Sequence, residues 1–410
     1  MNRRVVITGM AAISTLGRTQ EEILQSLKAQ KNTTRHMDEW VHIHGLRSHL
    51  FATLKDYTPP ADFPRKKTRT MSTVSLLAVD CTREALRDAG LEDSEVLTNG
   101  RTGVAYGSCS GSLRAMKGCV TLLEDDSTRD MNSTTYIKMM GQTVPVNLSL
   151  FFGTKGRLIN SSTACTSGSV SIGMAYEAIL MGRQDVMIAG GAEACNVVQT
   201  AVFDTLFATS TRNDTPEITP APFDANRDGL VLGEGACTLI LEELEHALAR
   251  GARIYAELVG FGTNTDGSHV TNPNAATMKN AMAEALEIAG LTPDDIGYVS
   301  MHGTGTQNGD IAETTATRTI FSTPIPGSSL KGYTGHTLGA CGALESMVSI
   351  MMMREGWFHP NLNLNTLDEN CHGVDFITGD GRNIDTKYVM NNNFAFGGIN
   401  TSLIFRKWED

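Results

Sequence analysis

The sequence has no Cys-x-x-Cys pair. Its eight cysteines stand singly, at 81, 109, 119, 165, 195, 237, 341 and 371. That pattern signals neither a zinc site nor a disulfide framework, and it fits a reducing cytosol, so a cytoplasmic protein is expected. No apolar run is long enough to span a bilayer. The run Val5 to Ile7, behind Met1-Asn2-Arg3-Arg4, is too short for a signal peptide and reads as a first strand. Positive charge is in deficit: the net charge is −11 over 410 residues, which argues against a general nucleic-acid binder. Charged residues make up 19% and hydrophobic residues 41%. Such a chain builds a large core, as two or three domain-sized units or one large double domain.

What is present centres on the stretch from Asn160 to Gly182. A run of small and polar residues, Asn-Ser-Ser-Thr-Ala-Cys-Thr-Ser-Gly-Ser, delivers Cys165 to the start of a helix over 170–181. Gly168, Ser169, Ser171 and Gly173 would let that helix lie close to another backbone, so it is expected to be buried. A thiol at a helix N-terminus faces unpaired N–H groups and the positive end of the dipole. Both favour thiolate, which makes Cys165 a candidate nucleophile. A lone cysteine is more often an inert buried residue; the company Cys165 keeps further down the chain raises it above that.

The periodicity predicts a strand over 4–10 and a helix over 19–28, opened by a capping box of Thr19 and Glu22. Residues 32–62 read as irregular. A helix over 71–89 ends at Gly90. Strands follow over 102–107, 185–191 and 236–241, with a short helix over 242–250. The second half then repeats the first. Glu84-Ala85-Leu86 … Ala89-Gly90-Leu91 returns as Glu284-Ala285-Leu286 … Ala289-Gly290-Leu291, and the turn at Cys165 has a counterpart at His336-Thr-Leu-Gly-Ala-Cys-Gly, which opens a helix running to Met353. The simplest explanation is an internal duplication of a βαβ-rich unit, residues 1–252 and 253–410. Two such halves face their matching loops across one cleft.

Three second-half loops would meet Cys165 there: Met301 to Thr306, with Asp310 and Glu313 after it; Leu330 to His336; and Asn391 to Gly398. A buried strand over 296–300 ending in His302-Gly-Thr puts a histidine at a strand tip. One histidine alone is usually a structural residue. Two in glycine-rich loops of one half, opposite a cysteine, fit thioester chemistry: a thiolate to take an acyl group and donors for a developing enolate. Metal binding is the rival for such a set, and no ligand spacing supports it. The cluster Arg65-Lys66-Lys67 with Arg69 is the one dense basic patch of an acidic chain; it is a solvated loop or a dock for an acidic partner.

From Arg4 to Lys407 the sequence resembles the β-ketoacyl-acyl carrier protein synthases, the condensing enzymes of type II fatty-acid and polyketide synthesis. The marks are the Cys165 turn, His302-Gly-Thr-Gly-Thr, Lys331 … Gly335-His336, Asn393-Phe-Ala-Phe-Gly-Gly and Leu241 to Ala252. The resemblance implies an α/β thiolase-like fold with two duplicated halves in a five-layered αβαβα arrangement. It implies an acyltransferase that joins an acyl group on Cys165 to malonyl-acyl carrier protein by decarboxylative Claisen condensation. His302 and His336 would then assist decarboxylation, Lys331 would support them with Glu313 as its ionic partner, and the N–H groups of Cys165 and Phe396 would form the oxyanion hole. Thr304 and Thr306 would hold the phosphopantetheine arm. Ser110 would set the depth of the acyl pocket, and Arg65, Lys66 and Arg69 would dock the carrier. Ser300, Glu345, Asn391 and Asn392 lie where some members hold a structural cation. No cofactor is implied, since substrates ride on the carrier's phosphopantetheine. The protein would be a homodimer, or a heterodimer with a chain-length-factor-like homologue.

Two departures stand out. Ala395 replaces a glycine common in the gating loop, and Gln307-Asn308-Gly309 follows the second threonine of the His302 loop where many fatty-acid members have proline. The first bears on the movement of the gate; the second, with the run His302-Gly-Thr-Gly-Thr, looks more like polyketide ketosynthases and points to a specialised pathway, such as an aryl-polyene or related polyketide cluster. Two rival readings are a thiolase, which carries a second catalytic cysteine in its last glycine-rich loop, and a chain-length factor without the active cysteine. The last loop here has no cysteine, and Cys165 and both histidines are in place.

Overall fold

The computed structural model describes residues 3–409. Eleven strands join one hydrogen-bonded sheet: β1 (Val5–Ile13), β2 (Thr102–Gly107), β3 (Leu158–Asn160), β4 (Val186–Glu193), β5 (Gly235–Glu243), β6 (Ala256–Thr265), β7 (Ile296–Ser300), β8 (Pro326–Ser328), β9 (Asp375–Phe376), β10 (Tyr388–Ala395) and β11 (Ile399–Lys407). Their order is β9-β8-β7-β10-β11-β6-β1-β5-β4-β2-β3. Read outward from the centre, β1-β5-β4-β2-β3 matches β6-β11-β10-β7-β8. The duplication legible in the helix endings is thus a duplication of topology. The halves meet at an antiparallel pairing of Val5 to Ile7 with Ala256 to Leu258.

Helices cover both faces, as buried parallel strands require. α1 (Gln20–Lys28) starts at Thr19, whose capping box with Glu22 forms as the spacing predicts. α2 (Thr73–Asp88) lies on the outside of the first half-sheet, and α5 (Ala275–Ala289) with α6 (Gln307–Ile320) on the outside of the second. Between the half-sheets lie α3 (Ser167–Leu180) and α7 (Cys341–Glu355), which completes five layers. α4 (Val197–Thr205) flanks the site described below. α3 and α7 are buried nearly all round, as befits central helices. Their backbones meet where side chains are missing: a Cβ on Gly168 would lie 2.7 Å from the Ala343 nitrogen, and one on Gly342 would lie 2.8 Å from the Ser169 nitrogen. One core cluster runs through both halves, from Ile7 and Ile172 to Leu258, Met347 and Leu403. No helix of the described residues is long and apolar enough to cross a membrane.

Three local expectations change. Residues 391–395 are not loop but the inner half of β10, paired residue by residue with β11; only the turn after Ala395 remains. The helix expected from His336 begins at Cys341, after a 3₁₀ turn at Leu338–Ala340. Within 32–62, the short strands Arg35–His36 and Leu50–Ala52 form a small sheet with Leu232–Gly233, which braces the loop leading to His336: the His336 N–H donates to Val231.

Candidate active site

Cys165 lies in a 3₁₀ turn, Ala164–Thr166, just before α3. Ala164 has a φ of 54°, a left-handed conformation that costs a residue with a Cβ about 1–2 kcal/mol. Side chains hold the turn against that strain: Ser167 Oγ donates to the Ala164 carbonyl (2.6 Å) and Thr166 Oγ1 to the Thr163 carbonyl (2.7 Å). The result places the cysteine sulfur, His302 and His336 so that one ligand-capable atom of each lies within 4.8 Å of the others. The two imidazoles meet edge to face, their centroids 5.2 Å apart. The cysteine comes from the first half and both histidines from the second, as expected from two facing halves.

Each histidine has its tautomer set from behind. Lys331 Nζ lies 3.1 Å from His302 Nδ1. An ammonium can only donate, so Nδ1 accepts and Nε2 carries the proton. The Leu338 N–H donates to His336 Nδ1, with the same consequence. Both Nε2 atoms are buried and without a partner among the described residues. Burial and the Lys331 charge hold both rings well below the usual histidine range, so they stay neutral. The site therefore presents two neutral N–H donors beside one sulfur.

The thiol itself differs from expectation. Burial pushes Cys165 up to about 11; the Lys331 charge and the N–H groups of Phe396 and Cys165 itself pull the other way without prevailing. The sequence argument weighed the helix end alone, and here desolvation is the larger effect. The cysteine thus rests as a thiol at neutral pH. Alkylation of Cys165 by iodoacetamide is expected to climb by about tenfold per pH unit from pH 7 to 10 without levelling, because the thiolate fraction climbs with it. A plateau reached by pH 8 would show a thiolate already formed.

Lys331 pairs with Glu345, not Glu313. The Lys331 Nζ to Glu345 Oε1 distance is 2.6 Å with both groups buried. Burial alone would lower Lys331, but the Glu345 carboxylate reverses that and holds it above its ordinary range. Glu313 has another task. Its carboxylate accepts the His302 and Gly303 N–H groups at 2.6 and 2.7 Å, from α6, and so fixes the turn that aims the ring. Removing one member of a buried ion pair strands the other, at about 3–5 kcal/mol. Lys331→Met is accordingly expected to lose that much stability in urea denaturation, and Lys331→Met with Glu345→Leu to recover most of it.

Of the possible cation ligands, Glu345 is already engaged. Asn391 and Asn392 are neighbours on β10 and point to opposite faces. The Glu345 oxygens already receive Lys331 Nζ and Asn393 Nδ2, each at 2.6 Å. Asn391 Oδ1 and Asn392 Oδ1 are buried and without a partner among the described residues. Asn393, which the sequence left in a loop, turns out to anchor Glu345 from β10.

A cleft of about 480 Å³ leads to Cys165, lined by His302, Thr304, Thr306, His336, Phe203 and Phe396 among others. Thr304 and Thr306 share a hydroxyl hydrogen bond of 2.9 Å, on a loop pinned by Asp310, which accepts the Thr304 and Gly305 N–H groups and pairs with buried Arg227. Asp310 and Glu313, one helical turn apart on α6, thereby hold one loop between them. Phe396 stacks on Phe203 at 5.5 Å. Ala395 sits in the β10–β11 ladder opposite Ile399, a backbone that needs no glycine. Ser110 is absent from the lining of this cleft; its hydroxyl accepts from Gln199 Nε2 instead. Arg65, Lys66 and Arg69 are exposed, on the helical turn Arg65–Thr68. They form no ion pair among the described residues, while Lys67 folds down onto the Phe151 carbonyl. Cys341 approaches Cys165 but donates its thiol to the Cys165 carbonyl at 3.1 Å, from outside the cleft lining, so it is not placed as a second nucleophile.

Residues 2–247 match the family model "Beta-ketoacyl synthase, N-terminal domain", and residues 255–365 match "Beta-ketoacyl synthase, C-terminal domain". A protein named 3-oxoacyl-[acyl-carrier-protein] synthase 1, from Haemophilus influenzae, is 38% identical over 409 residues, 99% of each chain. The crystal structure of a β-ketoacyl synthase from Burkholderia phymatum superposes with a TM-score of 0.98 at 54% identity, covering 99% of this chain and 100% of the other. A type II polyketide ketosynthase, in complex with its acyl carrier protein and bound to the hexaketide, gives 0.90 at 28% identity over the full length of both chains. Matched in both halves and along its whole length, the chain belongs to the β-ketoacyl synthase family, and it is a condensing enzyme of the acyltransferase class.

Proposed function

We propose that the protein extends an acyl chain by one malonyl-derived unit on an acyl carrier protein. The observation that carries this is the convergence of one thiol and two neutral imidazole N–H donors. In the first half-reaction Cys165 Sγ attacks the thioester carbonyl of the incoming acyl group. The C–S bond to the carrier's pantetheine breaks, and the cysteine proton leaves on that sulfur. The N–H groups of Cys165 and Phe396, which face the sulfur, hold the oxyanion. In the second, malonyl thioester loses CO₂; the electron pair of the broken C–C bond moves into an enolate whose oxygen accepts from His302 and His336 Nε2–H. The enolate carbon attacks the Cys165 acyl carbonyl, the C–S bond to Cys165 breaks, and the departing thiolate takes a proton from solvent. Thr304 and Thr306 hold the pantetheine arm along the cleft. No step calls on a metal or cofactor.

Mixing the protein with acyl- and malonyl-carrier protein and weighing the carrier tests this directly. The expected product is 3-oxoacyl-carrier protein with release of CO₂; acyl exchange alone, without carbon–carbon bond formation, would sink it. Relatives and sequence pull apart on the pathway. The 38% identical relative bears the name of a 3-oxoacyl-carrier protein synthase, while the His302 loop with Gln307-Asn308-Gly309 favours a polyketide or aryl-polyene cluster. The chemistry is common to both, and the acyl pocket decides between them.

The carrier docks on Arg65, Lys66 and Arg69, which are exposed cations of an acidic chain. Arg65→Glu with Lys66→Glu is expected to raise KM for acyl-carrier protein about tenfold and to flatten its salt dependence, while acylation by a small pantetheine thioester stays at the wild-type rate. Equal losses with both substrates would return the cluster to a solvated turn. The protein forms a homodimer through the unpaired edge of β3, where Leu158 is exposed with Leu150 and Tyr136. Such an edge is seldom left open, and a two-fold axis lets identical strands pair. A dimeric mass for the protein purified alone is the expected result; a monomer that dimerises only with a homologue would make it half of a heterodimer.

A further inference from the structure

Ala164 and Leu338 hold left-handed backbone at matching places in the two halves. Ala164, with a φ of 54°, opens the 3₁₀ turn before α3, and Leu338, with a φ of 46°, opens the one before α7. Such conformations persist only where the surroundings over-determine them. In the first turn the support is local, since Ser167 Oγ donates to the Ala164 carbonyl. In the second it crosses from the other half of the chain. Glu193, at the end of β4, accepts the Gly339 N–H at 3.2 Å. The Leu338 N–H, one peptide earlier, donates to His336 Nδ1 at 3.3 Å. The two peptide planes that meet at the Leu338 Cα are thus bonded to two side chains, Glu193 on one and His336 on the other.

Glu193 is fully buried, and donors surround its carboxylate. Oε2 accepts the Gly339 N–H and, at 2.8 Å, the Cys109 N–H. Oε1 accepts Ser108 Oγ and Gln199 Nε2, each at 3.1 Å. Ser108 Oγ in turn accepts the Gly111 N–H, which leaves its own proton for Glu193. Hydrogen bonds to an ionised acceptor are about twice as strong as those to a neutral one. Packing adds to the hold on Gly339. A Cβ there would lie 2.8 Å from the Cys109 nitrogen and 3.0 Å from Glu193 Oε2, and one on Gly191 would lie 2.0 Å from the Gly339 oxygen.

We propose that Glu193 is a positioning residue for His336: through Gly339 and Leu338 it fixes the turn whose N–H sets the tautomer and the aim of the ring. The inference rests on the reading of His336 as a donor to the enolate. Burial pushes Glu193 up to about 7, so the hold changes within the neutral range. The ionised form is present above that value and is lost as pH falls through it. Glu193 forms no ion pair among the described residues. The thiols of Cys109 and Cys165 beside it are raised by burial, and His336 is held low. None of these neighbours changes charge between pH 6 and 8.

The test follows CO₂ release from malonyl-carrier protein between pH 6 and 8, with Cys165 acylation weighed in parallel. The wild-type decarboxylation rate is expected to climb about threefold to tenfold through one ionisation. Ser108→Ala takes a donor from the carboxylate and should move that climb to higher pH by about 0.5, with Glu193 itself intact. Glu193→Gln should lose the climb and decarboxylate about threefold to tenfold more slowly at pH 8, while acylation stays within about twofold of the wild type. Added to His336→Ala, the same substitution should cost nothing further; added to His302→Ala, it should cost its full factor. A brace for the fold alone would cost the same in both backgrounds and would slow acylation too. A wild-type rate that is flat or falls from pH 6 to 8, a climb that Glu193→Gln keeps, or equal costs in the two histidine backgrounds overturns the proposal. If His336→Ala still slows decarboxylation in those cases, the enolate reading stands and only Glu193 falls. If His336→Ala decarboxylates as fast as the wild type, that reading falls and the role of Glu193 falls with it.

Discussion

Cys165→Ala is expected to abolish acyl-enzyme formation and to lower condensation by 10⁴-fold or more, on the order of the losses that follow removal of a covalent nucleophile. The substitution is small, and the turn around it is held by Ser167 and Thr166, not by the thiol, so the fold should persist. Decarboxylation of malonyl-carrier protein should persist too, because both Nε2–H donors remain. Intact-mass measurement after incubation with acyl-carrier protein reads the first effect, and CO₂ release the last. A covalent acyl adduct on the alanine variant would remove Cys165 from the mechanism, and the nearby Cys109 and Cys341 would be next to examine.

The complementary result is expected from the histidines. His302→Ala and His336→Ala should each lower malonyl decarboxylation by about 10²–10³-fold, the loss typical of one donor to a developing oxyanion, while Cys165 acylation falls by less than about tenfold. The asymmetry follows from where the proposed mechanism puts charge: the oxyanion of acyl transfer at backbone N–H groups, the enolate at the imidazoles. Because both rings are held well below the ordinary histidine range by burial and by Lys331, decarboxylation should show no loss as pH rises through 6 to 8. A rate that falls across that interval would mean that an imidazolium does the work. Equal retention of decarboxylation in both variants would exclude them.

Much of this site was legible in the sequence. His302 and His336 could be placed because glycines surround them at strand ends and because the duplication implied a shared cleft. The strands Thr102–Gly107 and Ile296–Ser300 emerged at their expected bounds, since each is a short apolar run between turn signals. What stayed hidden depended on distant partners. The three asparagines from 391 to 393 disfavour a strand by propensity, yet the ladder with β11 and the bonds of Asn391 and Asn393 to α7 outweigh that. Glu345 lies in a helix that reads as core, and only the fold shows Lys331 reaching it. The family resemblance implies Glu313 as the ionic partner of Lys331; the backbone N–H groups that claim it are invisible in a side-chain inventory.

The position of β1 bears on how such a molecule is made. The earliest strand of the sheet in chain order is also its middle, flanked by β5 on one side and β6 on the other. Its second neighbour begins at Ala256, about 250 residues further along the chain. Until then the nascent protein carries an open central edge and an α3 whose small-residue face awaits α7. Long-range pairing of this kind is slow and exposes aggregation-prone surface. A chain stopped at residue 252 should therefore collect in the insoluble fraction, and full-length yield should depend on elongation rate and on chaperones that shield that edge. The shared seam that gives catalysis its two-sided geometry also makes the first half dependent on the second for a finished fold.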